Sequence, residues 1–419
     1  MSASTASAAS TTSTAALARY LFAGFCASLV TIGLARFVYT PLLPALIQAH
    51  WFTAADTVYL GAANLGGYLA GALAGRALGR RWSNAWAMRV MMGVTVLSFM
   101  ACAVPLSVGW FFAWRFASGV AGGVVMVLVA ATVLPYVPAA RRGSASGVIF
   151  IGAGLGIAAS GTIVPLLLDH GLQTTWLGLG VFSLLLTMAS WRAWPAETAH
   201  VGPAGALHGT RTASGSAGAS LSGTHGLTAL YVAYALMATG FVPGMVFLVD
   251  YIARGLHAGA HVGALFWILY GMGAIIGPAG YGWLADRCGS GAALRGVLVL
   301  QAVAMAALGV TQGYVALGVL SVLLGTFTAG LPPLVLSRLR SLLSGDTVAQ
   351  NVAWSRATTV FAALQAAAGY GYSAVFNASE GNHALLFFVG GAALAAALAV
   401  EAISAWRAPR PATAEVRAG

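Results

Sequence analysis

Gly282-Trp283-Leu284-Ala285-Asp286-Arg287-Cys288-Gly289 closes one of the long apolar segments of this chain and sets an acid beside a base between glycines. A degraded copy precedes it by 211 residues, as Gly71-Ala72-Leu73-Ala74-Gly75-Arg76 followed by Gly79-Arg80-Arg81. At that offset Gly71 falls on Gly282, Leu73 on Leu284 and Arg76 on Arg287; upstream, Tyr59 falls on Tyr270 and Gly66 on Gly277. The offset is close to half of the 419 residues. The chain therefore reads as a duplicated unit, each copy carrying this turn after its second apolar span.

Composition names the solvent. Hydrophobic residues make up 59% of the chain and charged residues 7%, against about 25% charged in soluble domains. Such a chain is predicted to be an all-α integral membrane protein in contact with lipid, because its long apolar runs carry glycine inside them. The net charge of +11 is not clustered, so no nucleic-acid partner is expected. All 20 basic residues are arginine. Without lysine there is no Walker-type phosphate loop and no Schiff-base chemistry. Cys26, Cys102 and Cys288 are scattered and form neither a disulfide framework nor a metal spacing. The first 16 residues are Ser-, Thr- and Ala-rich without a basic stretch, which reads as a disordered tail and not a cleaved leader.

Runs near 20 apolar residues predict twelve spans. Their limits are 17–47, 57–79, 84–105, 108–137, 143–168 and 173–194, then 227–253, 260–284, 291–311, 314–340, 350–376 and 383–406. Residues 195–226, rich in Ala, Gly, Ser and Thr, read as a flexible cytoplasmic linker between two six-helix bundles, 17–194 and 227–406. Residues 407–419 form a C-terminal tail. With both termini inside, 17 of the 20 arginines fall on the cytoplasmic side and Arg254 alone outside. The positive-inside rule selects that orientation.

Three charges are left at membrane depth: Arg36, Arg115 and Asp250. Each costs on the order of 2.5–3.5 kcal/mol to insert, so each should face a bundle interior or a wet cavity. Arg36 and Asp250 occupy nearly equivalent places in the two halves, and Asp250 is expected to pair with Arg36 or Arg115. Alternatively Arg115 and Asp250 lie near the outer interface and reach for water. Tyr39 follows Arg36 by three residues on the same helical face, and Pro41 and Pro44 loosen the backbone just beyond. Asn64, Gln301 and Gln365 are uncharged polar groups at the same depth, open to two readings, cavity lining or ties between helices. No histidine lies at mid-span, and His257 with His261 lacks a third ligand. No metal or cofactor is expected.

Taken with the repeat and the spans, these residues resemble a major facilitator superfamily transporter. Gly282–Gly289 is similar to the superfamily signature G-x-L-A-D-R-x-G, and Arg115 through Gly122 to its fourth-helix signature R-x-x-x-G-x-x-G. Arg36–Pro44, Tyr59–Tyr68 and the stretch from Gly330-Leu331-Pro332-Pro333 to Ala353-Trp354-Ser355 resemble the bacterial YbfB/YjiJ-type subfamily. The resemblance implies the major facilitator fold: twelve transmembrane helices in two pseudo-symmetric six-helix bundles of the bacterial inner membrane. It implies alternating access, driven by protons or another coupling ion. It also implies a cytoplasmic latch of Gly282, Asp286, Arg287 and Gly289, in which Asp286 meets the start of the fifth span near Arg142. In the first half Gly71, Arg76 and Arg80 remain, but Gly75 stands in the acid's place and one residue is inserted before Gly79. Ala153 follows Gly152 where many antiporters carry proline, which disfavours drug export.

The expected activity is proton-coupled transport of a small organic solute by a monomer, and not enzymatic catalysis. Arg36, Tyr39, Asn64, Arg115, Asp250, Gln301 and Gln365 are the candidate cavity. Two arginines against one aspartate favour an anionic or zwitterionic solute. The alternative is a membrane sensor that uses a transporter fold without turnover.

Overall fold

The computed structural model describes residues 14–138, 141–195, 217–343 and 346–407, and every regular element in them is helical. In chain order these are α1 (residues 14–48), α2 (Ala54–Trp82), α3 (Asn84–Cys102), α4 (Val108–Val133), α5 (Arg142–Leu168) and α6 (Leu172–Ser190). Then follow α7 (residues 217–255), α8 (Ala260–Cys288), α9 (Ser290–Leu308), α10 (Tyr314–Leu342), α11 (Thr347–Ala378) and α12 (His383–Arg407). Most of the predicted tails 1–16 and 407–419 and of the linker 195–226 lies outside the described residues. α7 starts at Ala217, inside the stretch expected to be linker.

Ten helices among the described residues are long and apolar enough to cross a membrane. α2 and α11 match them in length, 29 and 32 residues, but carry more polar side chains, among them Arg76, Arg80 and Arg81 in α2 and Asn351 and Arg356 in α11. Polarity is distributed inside out. Leu73, Leu166, Leu185, Val303 and Val315 stand exposed, while Arg115, Asn64, Gln301 and Gln365 are buried. Lipid as the outer solvent gives that pattern, because helices satisfy their backbones internally and hide side-chain polarity from hydrocarbon.

The two halves repeat each other at 206 residues and not at 211. Ala54 matches Ala260, Trp82 matches Cys288, Asn84 matches Ser290 and Val108 matches Tyr314, each pair separated by 206. Packing obeys the same offset. A Cβ on Gly67 would lie 2.0 Å from the Phe116 carbonyl oxygen, and one on Gly273 2.0 Å from that of Val322. Gly71 meets Val120 as Gly277 meets Thr326, and Gly119 meets Asn64 as Gly325 meets Tyr270. These glycines let α2 lie on α4, and α8 on α10, backbone to backbone. Glycines spaced four and five apart tolerate a five-residue slip in sequence alone, which is how 211 placed Gly71 on Gly282.

At the corrected offset no residue is inserted before Gly79, and Arg80, not Gly75, stands opposite Asp286. Ser83 (φ 68°) occupies the turn that Gly289 (φ 80°) makes in the second half, where glycine carries no Cβ penalty. Gly67→Ala and Gly273→Ala are each expected to destabilise the fold by about 1–3 kcal/mol, because the clash is with backbone. Thermal unfolding in detergent would register both as lowered melting temperatures.

Across the halves, α5 packs along α8 and α2 along α11. Gly154 closes on Ala274, and Gly271 on Ala158, both at distances no Cβ tolerates. Trp267 Nε1 donates to Ser160 Oγ (3.1 Å) across the same seam. This seam carries the site.

Candidate functional site

α1 is the irregular helix. Its α-helical start, Thr14–Ala27, passes into a buried π-helical turn, Ser28–Leu34, before Ala35–Phe37 and Tyr39–Gln48. Pro41 and Pro44 remove two backbone donors. The predicted loosening nevertheless falls ahead of them, and Tyr39–Gln48 stays helical through both. π-helical turns cluster at functional sites, and this one delivers Arg36.

Nε and Nη2 of Arg36 are buried and meet no acceptor among the described residues. The guanidinium carbon lies 4.8 Å from the Tyr68 ring centre and 5.6 Å from that of Phe37. Its charge acts on the phenols of Tyr68, Tyr270 and Tyr234. Tyr68 comes from α2, Tyr234 from α7 and Tyr270 from α8, so phenols of both halves feel one cation. Trp267 stacks on Tyr270 with ring centres 4.8 Å apart and sits 6.4 Å from Phe37. Tyr68, Tyr234 and Tyr270 are the residues that sequence reasoning missed as a group. An aromatic in an apolar run is unremarkable alone; the available signal was a polar-tipped aromatic at the middle of three separate spans.

Arg115 is engaged in part, its Nε buried without an acceptor among the described residues. Its Nη1 donates to the Ala35 carbonyl (2.8 Å), and its guanidinium covers the Tyr39 ring at 4.3 Å. Tyr39 in turn donates to the Thr57 carbonyl (2.8 Å). Asn64 Nδ2 donates to Ser118 Oγ (3.0 Å) and to the Arg115 carbonyl (3.3 Å). Tyr39, Asn64 and Arg115 thus form a knot inside the first half, beside Arg36 but not joined to it by any described bond. Gln301 Nε2 donates to the Leu323 carbonyl (2.7 Å) and to Tyr281 Oη (3.0 Å), tying α9 to α10 and α8. Gln365 has only Met245 Sδ at 3.7 Å from Nε2, and its Oε1 is buried without a partner among the described residues.

Asp250 is elsewhere than expected. It bonds Arg254 one turn on and accepts from or shares a proton with His383 Nε2 (2.8 Å), at the end of α7 and the start of α12. It pairs with neither Arg36 nor Arg115. The carboxylate sits at a helix end, where Arg254 and His383 are nearer and solvent reaches it. A recess of about 690 Å³ opens beside it, lined by Tyr251, Arg254, His257, Glu380 and His383 among others. Asp250→Asn is expected to weaken the α7–α12 join by about 1 kcal/mol, the worth of a partly exposed pair. A small drop in melting temperature in detergent would measure it. A buried acid the sequence reading passed over, Glu401, lies 3.7 Å from Arg338 Nη2 toward the other end of the second half.

Asp286 does not reach Arg142. It is exposed and forms no hydrogen bond or ion pair among the described residues, while Arg142 Nε donates to the Val137 carbonyl (3.2 Å). Pro278 is level with Gly147. From that level Asp286 is eight residues on, about 12 Å of helix, and Arg142 five residues back, about 7.5 Å. The acid overshoots the arginine by most of a turn. Arg287 folds back over the Trp283 ring at 4.2 Å.

Contacts between the halves lie on both sides of Arg36. Toward the arginine-rich face, Trp354 Nε1 of α11 donates to the Met126 carbonyl of α4 (3.4 Å). Toward the opposite face, a Cβ on Gly369 of α11 would come within 3.1 Å of Leu65 Cδ1 of α2. Repeated halves of apolar helices closed around a mid-depth cation define a multi-pass membrane transporter. The profile of the family described as "Uncharacterised MFS-type transporter YbfB" matches residues 28–402, and the chain belongs to that family. No curated protein matches the chain.

Proposed function

We propose that this transporter is a secondary carrier moving a small organic solute across the bacterial cytoplasmic membrane by alternating access. Twelve helices, α1–α12, cross in two bundles of six, with both termini and residues 195–226 on the cytoplasmic, arginine-rich side. The arginine distribution supports that orientation. The observation that carries the reading is Arg36, a mid-depth cation whose buried Nε and Nη2 have no acceptor among the described residues, enclosed toward both faces by contacts between halves. An unpaired buried charge costs several kcal/mol, a cost relieved when a solute of opposite charge is bound. Enclosed on both sides, that solute enters and leaves only as one set of contacts opens at a time.

Protons or another ion drive the cycle. The acids open to that role, Asp250 and Glu401, stand at opposite ends of the second half, so the gradient is read at the ends and not at Arg36. Gly282, Asp286, Arg287 and Gly289 act as the cytoplasmic latch. A slide of α8 along α5 by about one turn brings Asp286 level with Arg142. The first-half counterpart around Gly71, Arg76 and Arg80 has arginine where the acid would be. Counterflow into proteoliposomes preloaded with a broad panel of organic acids tests the proposal. Accumulation of a labelled member against an unlabelled excess is expected; an absence of exchange across the panel contradicts a carrier.

A further inference from the structure

Resting on that reading, we infer that the Arg36 site takes a solute with one carboxylate on a flat apolar body and no ammonium group. Nε and Nη2 share one edge of the guanidinium plane, and both lack an acceptor among the described residues. That edge presents two parallel N–H groups at the spacing of the two oxygens of a carboxylate. The site is thus built for a bidentate oxyanion and not for a single carbonyl.

The walls state what the rest of the solute is. Tyr68 and Phe37 flank the guanidinium from the first half. From the second half Trp267, with Tyr270 stacked on it, stands 6.4 Å from the Phe37 ring, and Tyr234 and Tyr270 feel the charge of Arg36. Flat aromatic walls favour an apolar, planar body between the halves. The Tyr270 hydroxyl is committed to Thr328 Oγ1. Those of Tyr68 and Tyr234 make no hydrogen bond among the described residues and are left to a third polar contact.

Charge fixes the rest. No carboxylate among the described residues acts on Arg36. The described acids are Asp56, Asp169, Asp250, Asp286, Asp346, Glu380 and Glu401, all at or near helix ends or in the turns between helices. An ammonium group brought to mid-depth would meet no carboxylate among the described residues and would lie beside a guanidinium, an arrangement that costs several kcal/mol. A second negative charge finds no second free fork, because Arg115 gives Nη1 to the Ala35 carbonyl and covers the Tyr39 ring, which leaves only its Nε buried without an acceptor among the described residues. A monoanion matches; a zwitterion and a dianion do not.

Purified full-length protein in detergent is titrated with phenylacetate, phenylalanine, phenethylamine, phenylacetamide and phthalate. Binding is read by tryptophan fluorescence and by shift in melting temperature. Phenylacetate is expected to bind at least ten-fold more tightly than each of the others. Arg36→Gln is expected to abolish that preference, and Arg36→Lys, which keeps the charge and loses the fork, to weaken binding about ten-fold. Phenylalanine or phthalate binding as well as phenylacetate, unchanged affinity in folded Arg36→Gln, or no binding of any probe to folded wild type overturns the assignment. Proteoliposome exchange separates this from the carrier reading. Phenylacetate bound but never exchanged retains the site and removes the carrier, whereas exchange of only zwitterionic or neutral solutes retains the carrier and removes this solute class.

Discussion

Replacing Arg36 by leucine is expected to abolish solute exchange while raising the melting temperature of the protein. The two effects have one cause. A guanidinium with two buried donors lacking acceptors among the described residues is a liability to the resting fold, and substituting an apolar side chain for an uncompensated buried charge stabilises by about 1–4 kcal/mol. The same donors are the ones a carboxylate would satisfy. Their loss removes about 3 kcal/mol of charge-assisted pairing, or roughly 100-fold in exchange. Arg115→Leu should behave in the opposite sense. It breaks the bond to the Ala35 carbonyl and the stack on Tyr39, which outweigh the relief of one buried Nε without an acceptor among the described residues, so melting falls, and the protein that remains folded still binds at Arg36. Parallel melting and exchange measurements on the two variants decide the matter. If Arg36→Leu melts lower and Arg115→Leu higher, their roles have been exchanged.

The second large effect is expected at Gly271. A Cβ there would stand 2.4 Å from Ala158 Cα, across the seam between halves and not within one. No rotamer relieves a clash with backbone, so Gly271→Ala holds α8 away from α5 by enough to cost about 1–3 kcal/mol in the closed arrangement. A bias of that size shifts a two-state equilibrium by about 5–150-fold. Exchange should fall by at least ten-fold while tryptophan fluorescence still reports ligand binding. Gly273→Ala, two residues on but packed against Val322 inside the second half, should instead lower stability. Cysteine labelling at both faces, run beside melting curves, separates a seam effect from a folding effect.

Much of the architecture was legible because it follows from bulk properties. Apolar length, glycine inside the runs and arginine placement gave a helical membrane protein of repeated halves. Register was harder. The offset of 211 was set by glycine-on-glycine matches in helices where glycine recurs every four or five residues, and only the backbone contacts of Gly67, Gly119, Gly273 and Gly325 select 206. At the site, Arg36 was legible since charge at membrane depth is rare. Its partners were not. Asp250 looked like the natural counter-charge by half-to-half equivalence, yet Arg254 and His383 are nearer. The phenols around Arg36 come from three helices far apart in the chain, and no spacing rule brings Tyr68, Tyr234 and Tyr270 together.

The central claim is that the two faces open in turn around Arg36. The direct measurement is a pair of spin-label distances. One pair, at Tyr59 and Tyr370, spans the halves at the arginine-poor face, near the contact of Gly369 with Leu65. The other, at Gly143 and the exposed native Cys288, spans them at the arginine-rich face; Cys288 is serine in the first pair, and the buried Cys26 and Cys102 stay in place in both. In liposomes with and without phenylacetate, one distance is expected to lengthen as the other shortens, by several ångströms each. Two distances that move together, or that stay fixed in protein that exchanges solute, would contradict the account.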